Sequence, residues 1–353
     1  MAGPVPAIHV LRPISEKVVD GRHKAGHDGV CGMCGVRPMT DLTVRIGTLT
    51  LSNPVMPASG TFAEGLAAAL DLNRLGALVT KTITRELRSG NPLPRVAEVQ
   101  GGMLNAIGIP SKGVPYLLDH TIPDLTRFTP PLIVSISAPT AEGFASLAQD
   151  ISVPGVAGIE ANISCPNIEE DGKAFAMRAA STEAVVKALR AATTLPLWVK
   201  LTPNTGDVAE VARAAEAAGA DALVVANTIL GMSIDLQTFK PRLGNVMGGL
   251  SGPAVKPIIL RMAYQCARAV RVPIIASGGI ASAADAAEYM LAGCTAVQVG
   301  TATFINSHTM TDVIDGLDRF CEARGIHRVT DLVGALKHEE ADEEDLAWVS
   351  PAE

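Results

Sequence analysis

Three side chains stand out as able to do chemistry: Cys165 in Asn162-Ile163-Ser164-Cys165-Pro166-Asn167, Lys81 in Val79-Thr80-Lys81-Thr82, and Lys200 in Val199-Lys200-Leu201-Thr202. Each lies at or just after the end of a short aliphatic run, where a buried strand would give way to a loop. A free thiol ionises near pH ~8.5, and a neighbouring cation or hydrogen-bond donor increases its thiolate fraction, making it a nucleophile or a base. Cysteine is equally at home as an inert buried thiol, so residue type alone leaves both roles open for Cys165. Asn162 and Asn167 flank it with amides able to orient a polar ring. If both lysines end strands of one barrel, they share a cavity in which they would stabilise an anionic ligand or an electron-rich cofactor. A register slip of one residue would turn either away, to become an ordinary solvated charge.

Two glycine-bearing segments add a second kind of chemistry. Ser277-Gly278-Gly279-Ile280 and Gly300-Thr301-Ala302 each follow an aliphatic run. Glycine lets main-chain N–H groups approach a phosphate closely, and a following helix N-terminus supplies further donors. Loops seven and eight of a barrel are a frequent phosphate site, so the pair points to a phosphorylated cofactor or substrate, with simple turn glycines as the alternative. Neither segment has the Gly-rich run followed by Lys and Ser or Thr of a nucleotide-binding P-loop. Near the N-terminus, Cys31 and Cys34 form a CxxC pair with His23 and His27 nearby. One such pair offers only two ligands and has no companion, so free or local redox thiols are expected there and no metal site.

Eight aliphatic runs must position these groups: 55–59, 77–81, 132–136, 159–163, 197–201, 222–226, 273–276 and 296–299. Helices are expected over 182–192, 208–218, 254–270 and 283–292, where Ala, Leu, Glu and Arg replace the β-branched residues of the strand runs. Gly76, Gly219 and Gly293 stand at junctions where a left-handed residue can end a helix before the next strand. Eight parallel candidates in one chain predict an α/β fold, a (β/α)8 or TIM barrel, with an open doubly wound sheet as the alternative. Residues 83–131 and 227–253 are long, glycine- and proline-punctuated excursions suited to forming walls at the barrel's active face. Residues 1–40 read as an N-terminal appendage, 41–325 as the catalytic barrel, and 326–353 as an acidic C-terminal extension.

Composition agrees with this architecture. Apolar residues are 48% of the chain but aromatic residues only 3%, so the core must be filled by Ala, Val, Ile and Leu, as buried parallel strands require. There is no apolar stretch of about eighteen residues and no basic, apolar and small-residue N-terminal signal. A cytoplasmic protein without membrane spans is the expectation. A net charge of −7 gives no broad electrostatic reason to bind nucleic acid. Six dispersed cysteines do not form the dense framework of a small disulfide-bonded domain, so thiols are expected.

An ordered set of segments links these features: Asn53-Pro54, Pro57-Ala58-Ser59-Gly60, Lys81, Asn105-Ala106-Ile107-Gly108, the run from Asn162 to Asn167, Lys200-Leu201-Thr202-Pro203-Asn204, Asn227-Thr228, Gly248-Gly249-Leu250-Ser251-Gly252-Pro253, and both phosphate-type loops. Over residues 41–322 this set resembles the class 1 dihydroorotate dehydrogenase family, most closely its class 1B catalytic subunits. The resemblance implies FMN in the barrel, with Ser59, Lys81, Asn162, Lys200, Ala226, Gly252, Gly278, Gly279, Gly300 and Thr301 matching the flavin-contacting pattern. Lys81, Asn105, Ala106, Ile107, Gly108, Asn162, Asn167, Asn227 and Thr228 match the substrate-binding pattern for dihydroorotate and orotate. It further implies that Cys165 is the base that removes the C5 proton as hydride leaves C6 for the flavin, in pyrimidine biosynthesis. A dimer of catalytic subunits is implied too, with an electron-transfer subunit carrying FAD and a [2Fe-2S] cluster that leads to NAD+. Two departures from the pattern, Ser135 for a frequent asparagine and Ala138 for a glycine, bear on the cofactor contacts. Three other readings stand beside this one: the flavin module of a dihydropyrimidine dehydrogenase, a class 1A enzyme using fumarate directly, and a catalytically silent flavin-binding module.

Overall fold

The computed structural model describes residues 40–62, 64–164 and 175–337. Eight parallel strands form one ring: Val55–Pro57, Leu78–Val79, Leu132–Ile136, Gly158–Asn162, Leu197–Lys200, Ala222–Val225, Ile274–Ala276 and Ala296–Val299. Each of the second to eighth pairs with its predecessor or successor in chain order, and the eighth returns to the first, Gln298 opposite Met56. Between the first and second, the Gly76 N–H donates to the Val55 carbonyl at 2.8 Å. The sheet therefore closes as a barrel, and the open doubly wound alternative falls away. All eight lie within a residue of their expected starts and within two of their expected ends.

The strands form where they do because both faces are covered. Every residue of the third, fourth, fifth, sixth and eighth strands is buried, the environment in which Val, Ile and Leu gain most from leaving water. Helices Ala141–Ile151, Ala179–Ala192, Val208–Ala217, Lys256–Ala269, Ala283–Leu291 and Thr309–Glu322 surround them. The first buries Phe144, Leu147, Ala148 and Ile151, one stripe at helical spacing, and starts at Thr140, whose hydroxyl accepts from Gly143 N. Asp207 and Ser282 cap two others in the same way. Barrel and helix layers share one continuous apolar core.

The junction glycines divide into two kinds. Gly219 at φ +104° and Gly293 at φ +107° are left-handed, as expected after a helix. Gly76 instead follows a short 3-10 turn (Leu72–Arg74), and a Cβ there would run into the Asn53 carbonyl oxygen. Its value lies in close approach at the barrel seam.

The two excursions join each other. Val96–Val99 and Gly102–Asn105 from the first, and Ile229–Met232 and Met247–Ser251 from the second, make a four-stranded antiparallel sheet. Gly249 lies opposite Asn105 and Leu250 opposite Leu104. Its buried apolar centre is small, comprising Ala97, Leu104, Ala106 and Leu243. At the other end of the molecule, Asp41 N donates to His327 O and Val329 N to Asp41 O, both at 2.8 Å, while Val329 and Leu332 join the main core. The packed body thus runs past residue 325, where the sequence placed the start of an extension. The CxxC pair with its histidines and the acidic residues from 338 onward lie outside the described residues, as do Cys165 and Asn167. Among the described residues no helix is long and apolar enough to cross a membrane, and no three His, Cys, Asp or Glu side chains group as a metal site.

Candidate active site

At the carboxyl ends of the strands is a cavity of about 560 Å³ between the barrel and the antiparallel sheet. The structure brings Ser59, Lys81, Asn162, Lys200, Ala226, Gly252, Gly278, Gly279, Gly300 and Thr301 to its lining. Asn105, Ala106, Ile107, Gly108, Asn227 and Thr228 line the same space. Every sequence-predicted site residue that is described therefore faces one cavity, reached from the first, second, fourth, fifth, sixth, seventh and eighth strand ends and from the antiparallel sheet.

Lys200 ends the fifth strand and is almost fully buried. Its Nζ donates to Gln298 Oε1 at 3.2 Å and Ser59 Oγ at 3.5 Å, and lies 4.0 Å from Glu160 Oε1. The Glu160 carboxylate, wholly buried, accepts from Ser135 Oγ at 3.1 Å and from Gln298 Nε2 at 2.6 Å. A buried ammonium is tolerable only where a counter-charge and hydrogen bonds offset its lost hydration, and this group supplies both. Lys200 nevertheless lines the cavity, so its charge is felt there.

Polar side chains continue from there. Thr82 Oγ1 and Ser135 Oγ are 2.9 Å apart, Asn162 Nδ2 donates to Thr82 Oγ1 at 3.2 Å, Ser164 Oγ donates to Asn162 Oδ1 at 2.8 Å, and Asn227 Nδ2 donates to Ser164 Oγ at 2.7 Å. Ser135 is accordingly a member of the barrel-interior network and does not line the cavity, while Ala138 packs in the main core. Neither residue lines the cavity.

Glu160 and Gln298 escaped the reading from sequence, while Thr82, Ser164 and Asn204 appeared there only inside motifs, without a role of their own. Asn204 Oδ1 accepts from Leu230 N at 2.8 Å and its Nδ2 donates to Thr228 O at 3.1 Å, tying the loop after the fifth strand to the antiparallel sheet. Glu160 and Gln298 did carry a signal. An acid or amide in the middle of an otherwise aliphatic parallel strand has to be paired inside, and Glu160 shares a strand face with Asn162 two residues on.

The loops after the seventh and eighth strands have a different character. Among the described residues, the main-chain N–H groups of Gly278, Gly279, Gly300 and Thr301 have no protein acceptor. Gly279 is left-handed at φ +70°, and a Cβ there would come within 2.8 Å of Lys256 Cβ and 2.9 Å of Gly252 O. Behind the loop, the buried Tyr289 hydroxyl donates to Gly278 O at 2.7 Å. In front, Thr301 and Ser251 share a hydroxyl contact at 2.8 Å that joins the loop to the antiparallel sheet. Unpartnered main-chain donors on a fixed backbone are suited to an anion, and Lys200 lines the same cavity.

The family model for dihydroorotate dehydrogenase matches residues 41–321. The chain belongs to the dihydroorotate dehydrogenase family. Its relatives include proteins named dihydroorotate dehydrogenase B (NAD(+)), catalytic subunit, from Pelobacter propionicus (50% identical over 300 residues, 84% of this chain and 99% of that protein). Proteins of the same name from Desulforamulus reducens (48% identical, 84% and 98%) and Bacteroides fragilis (46%, 85% and 100%) are similar to nearly the same extent. The class 1B resemblance is thus shared along almost the whole length of these dihydroorotate dehydrogenase relatives, and the matched span contains every residue described above as lining the cavity.

Proposed function

We propose that this chain is the catalytic subunit of an NAD+-linked dihydroorotate dehydrogenase. The observation that carries the reading is the convergence of both lysines, the amide side chains and two loops of unpartnered main-chain donors on one cavity, in a chain of this family. Its size and donors fit FMN: the Gly278-Gly279 and Gly300-Thr301 N–H groups suit the phosphate and Lys200 suits the electron-rich ring. When bound, FMN would supply the acceptor for the hydride leaving C6 of dihydroorotate.

The protein's own groups account for the rest. Asn162 and Asn227, held by Ser164 and Thr82, would orient the substrate ring from the barrel side, and Asn105 through its 3.2 Å bond to Gly249 O from the antiparallel sheet. Cys165 follows Ser164 directly and would take the C5 proton as its thiolate, leaving the C5–C6 double bond of orotate. Lys81 and Lys200 would stabilise negative charge arising in the cavity. The relatives' designation as catalytic subunits supports a separate electron-transfer chain, which we take to carry FAD and a [2Fe-2S] cluster. This sequence contains neither a Rossmann fingerprint nor a four-cysteine cluster pattern of its own.

The test is native co-purification, flavin analysis, and turnover with each substrate and acceptor. We expect FMN at one per chain, its reduction by dihydroorotate but not dihydrouracil, and NAD+ reduction only with the partner chain. Preference for dihydrouracil would indicate a dihydropyrimidine dehydrogenase module. Efficient fumarate reduction by the isolated chain would make it class 1A, and intact FMN that dihydroorotate never reduces would make it a silent flavoprotein.

A further inference from the structure

The hydrogen bonds inside the barrel have a direction, and one residue sets it. A carboxylate can only accept and an ammonium can only donate. Gln298, held between Glu160 and Lys200, must therefore turn Nε2 to the carboxylate and Oε1 to the ammonium, as its 2.6 and 3.2 Å contacts show. On the other side of Glu160, the Ser135 hydroxyl gives its only proton to the carboxylate, so its oxygen must accept from Thr82. The Thr82 proton is then spent, and its oxygen accepts from Asn162 Nδ2. That leaves Asn162 Oδ1 to accept from Ser164, and the Ser164 oxygen to accept from Asn227 Nδ2, while Asn227 Oδ1 takes the N–H of Thr228 at 2.8 Å. Reversing any one of these amides would set donor against donor or acceptor against acceptor inside the barrel.

We propose that Glu160 is a positioning residue for the reaction: as the acceptor-only centre of this network it aims Lys200 through Gln298, and fixes which faces of Asn162 and Asn227 meet the substrate through Ser135 and Thr82. This rests on the flavin and dihydroorotate reading given above. Glu160 itself is wholly buried and does not line the cavity, so its influence passes through the two arms. One arm ends on Lys200 and the other on the Asn162 and Asn227 amides. Cutting the Gln298 arm allows Lys200 to close its 4.0 Å gap to Glu160, drawing the ammonium away from the cavity. Cutting the Ser135 arm leaves the lysine in place and releases the constraint on the amides.

The experiment uses flavin-loaded protein and two readouts, the flavin midpoint potential and the orotate dissociation constant read from the flavin absorbance. In Ser135→Ala, orotate should bind about tenfold more weakly, the scale of one buried hydrogen bond left unmade, with the potential unchanged. In Gln298→Leu, the potential should fall, because the reduced flavin loses a nearby positive charge, with orotate affinity kept within about twofold. Glu160→Gln, which can donate where the acid accepts, should alter both. If Ser135→Ala and Gln298→Leu give the same pair of changes, or neither changes either quantity, the proposal is overturned. Should Glu160→Gln not fold, the two single-arm variants decide, since both keep the buried charge pair. A parent protein that binds neither FMN nor orotate overturns the functional reading and this proposal with it, whereas a parent that binds both with unsplit variants overturns this proposal alone.

Discussion

The barrel wall and the antiparallel sheet contribute to the same cavity on very different terms. Barrel strands are buried along their length and belong to one core shared with the helices. The strands of the antiparallel sheet mix buried, partly buried and exposed residues, Ile229–Met232 alternating between partly buried and exposed, and the sheet's own apolar centre has four residues. The groups whose charge and direction have to be held, Lys200, Asn162 and Glu160, stand on the deeply packed side. Asn105 and its neighbours, which would meet a substrate that comes and goes, stand on the thinner one. Rigidity is concentrated where a misplaced charge would cost most, and the side with less to lose is built from fewer contacts.

Truncating one leucine on each side gives the most direct way to break this comparison. Leu223 is wholly buried in the sixth barrel strand and Leu104 is nearly so in the antiparallel sheet. Leu223→Ala should cost about 2–5 kcal/mol and lower the main thermal transition. Leu104→Ala should leave that transition nearly in place and weaken orotate binding instead. Equal losses of melting temperature would mean that sheet and barrel unfold as one unit. Next comes Cys165→Ser, which should slow flavin reduction by dihydroorotate at least about a hundredfold, the scale of a lost general base, while FMN stays bound. Stopped-flow reduction at the parent's rate would remove Cys165 from the mechanism. A third variant separates cofactor from substrate: Gly279→Ala forces a side chain into a left-handed residue beside Lys256. Strain of about 1–2 kcal/mol should weaken FMN retention by about tenfold and leave orotate affinity of the flavin-loaded fraction unchanged. Weaker orotate binding in that fraction would show that loop seven serves the substrate as well.

The same contrast explains what the sequence could tell. Barrel strands were legible because burial on both faces demands unbroken aliphatic runs such as Leu132-Ile133-Val134, which few other environments produce. Both lysines and the glycine loops were legible by position at the ends of those runs. Helices Ala141–Ile151 and Thr309–Glu322 were not picked out, for each carries an internal glycine, Gly143 or Gly316, and the buried face of the second includes the polar Thr309 and Thr311. The antiparallel sheet was read as two separate walls. Its strands are short, carry Gly102, Gly231, Gly248 and Gly249, and pair across distant parts of the chain, so no local pattern marks them as partners. Glu160 and Gln298 show the same limit inside the site: each is an isolated polar residue until the barrel closes and sets the eighth strand within reach of the fourth.

The smallest expected effect concerns the anchor of loop seven, which belongs to the rigid side. Asp285 accepts from Lys256 Nζ at 2.6 Å through one oxygen, and from Ala281 N at 3.0 Å and Ser282 Oγ at 2.8 Å through the other. Burial pushes this carboxyl up, but the bonds from Lys256, Ser282 and Ala281 together outweigh it and hold it below the ordinary 3.8. Lys256 is pushed above 10.5, chiefly by its bond to Asp285 and against its own burial. The signs separate the two partners. A carboxyl lowered in the folded state binds fewer protons there than in the unfolded chain, so its stabilisation is present above its ordinary value and disappears as pH falls through the folded one. A raised ammonium stabilises below its ordinary value and loses that contribution only as pH rises through its folded one, so it cannot produce an acid-side loss. Asp285→Asn should therefore lower stability by about 1 kcal/mol near neutral pH, as expected for a pair that is only partly buried, and the difference from the parent should shrink below about pH 4. Denaturant titrations of both proteins across that range measure it. A difference that stays constant into acid would mean that Asp285 holds the loop through shape and hydrogen bonding rather than charge, and the loop's place on the rigid side would then rest on Tyr289 and the left-handed Gly279 alone.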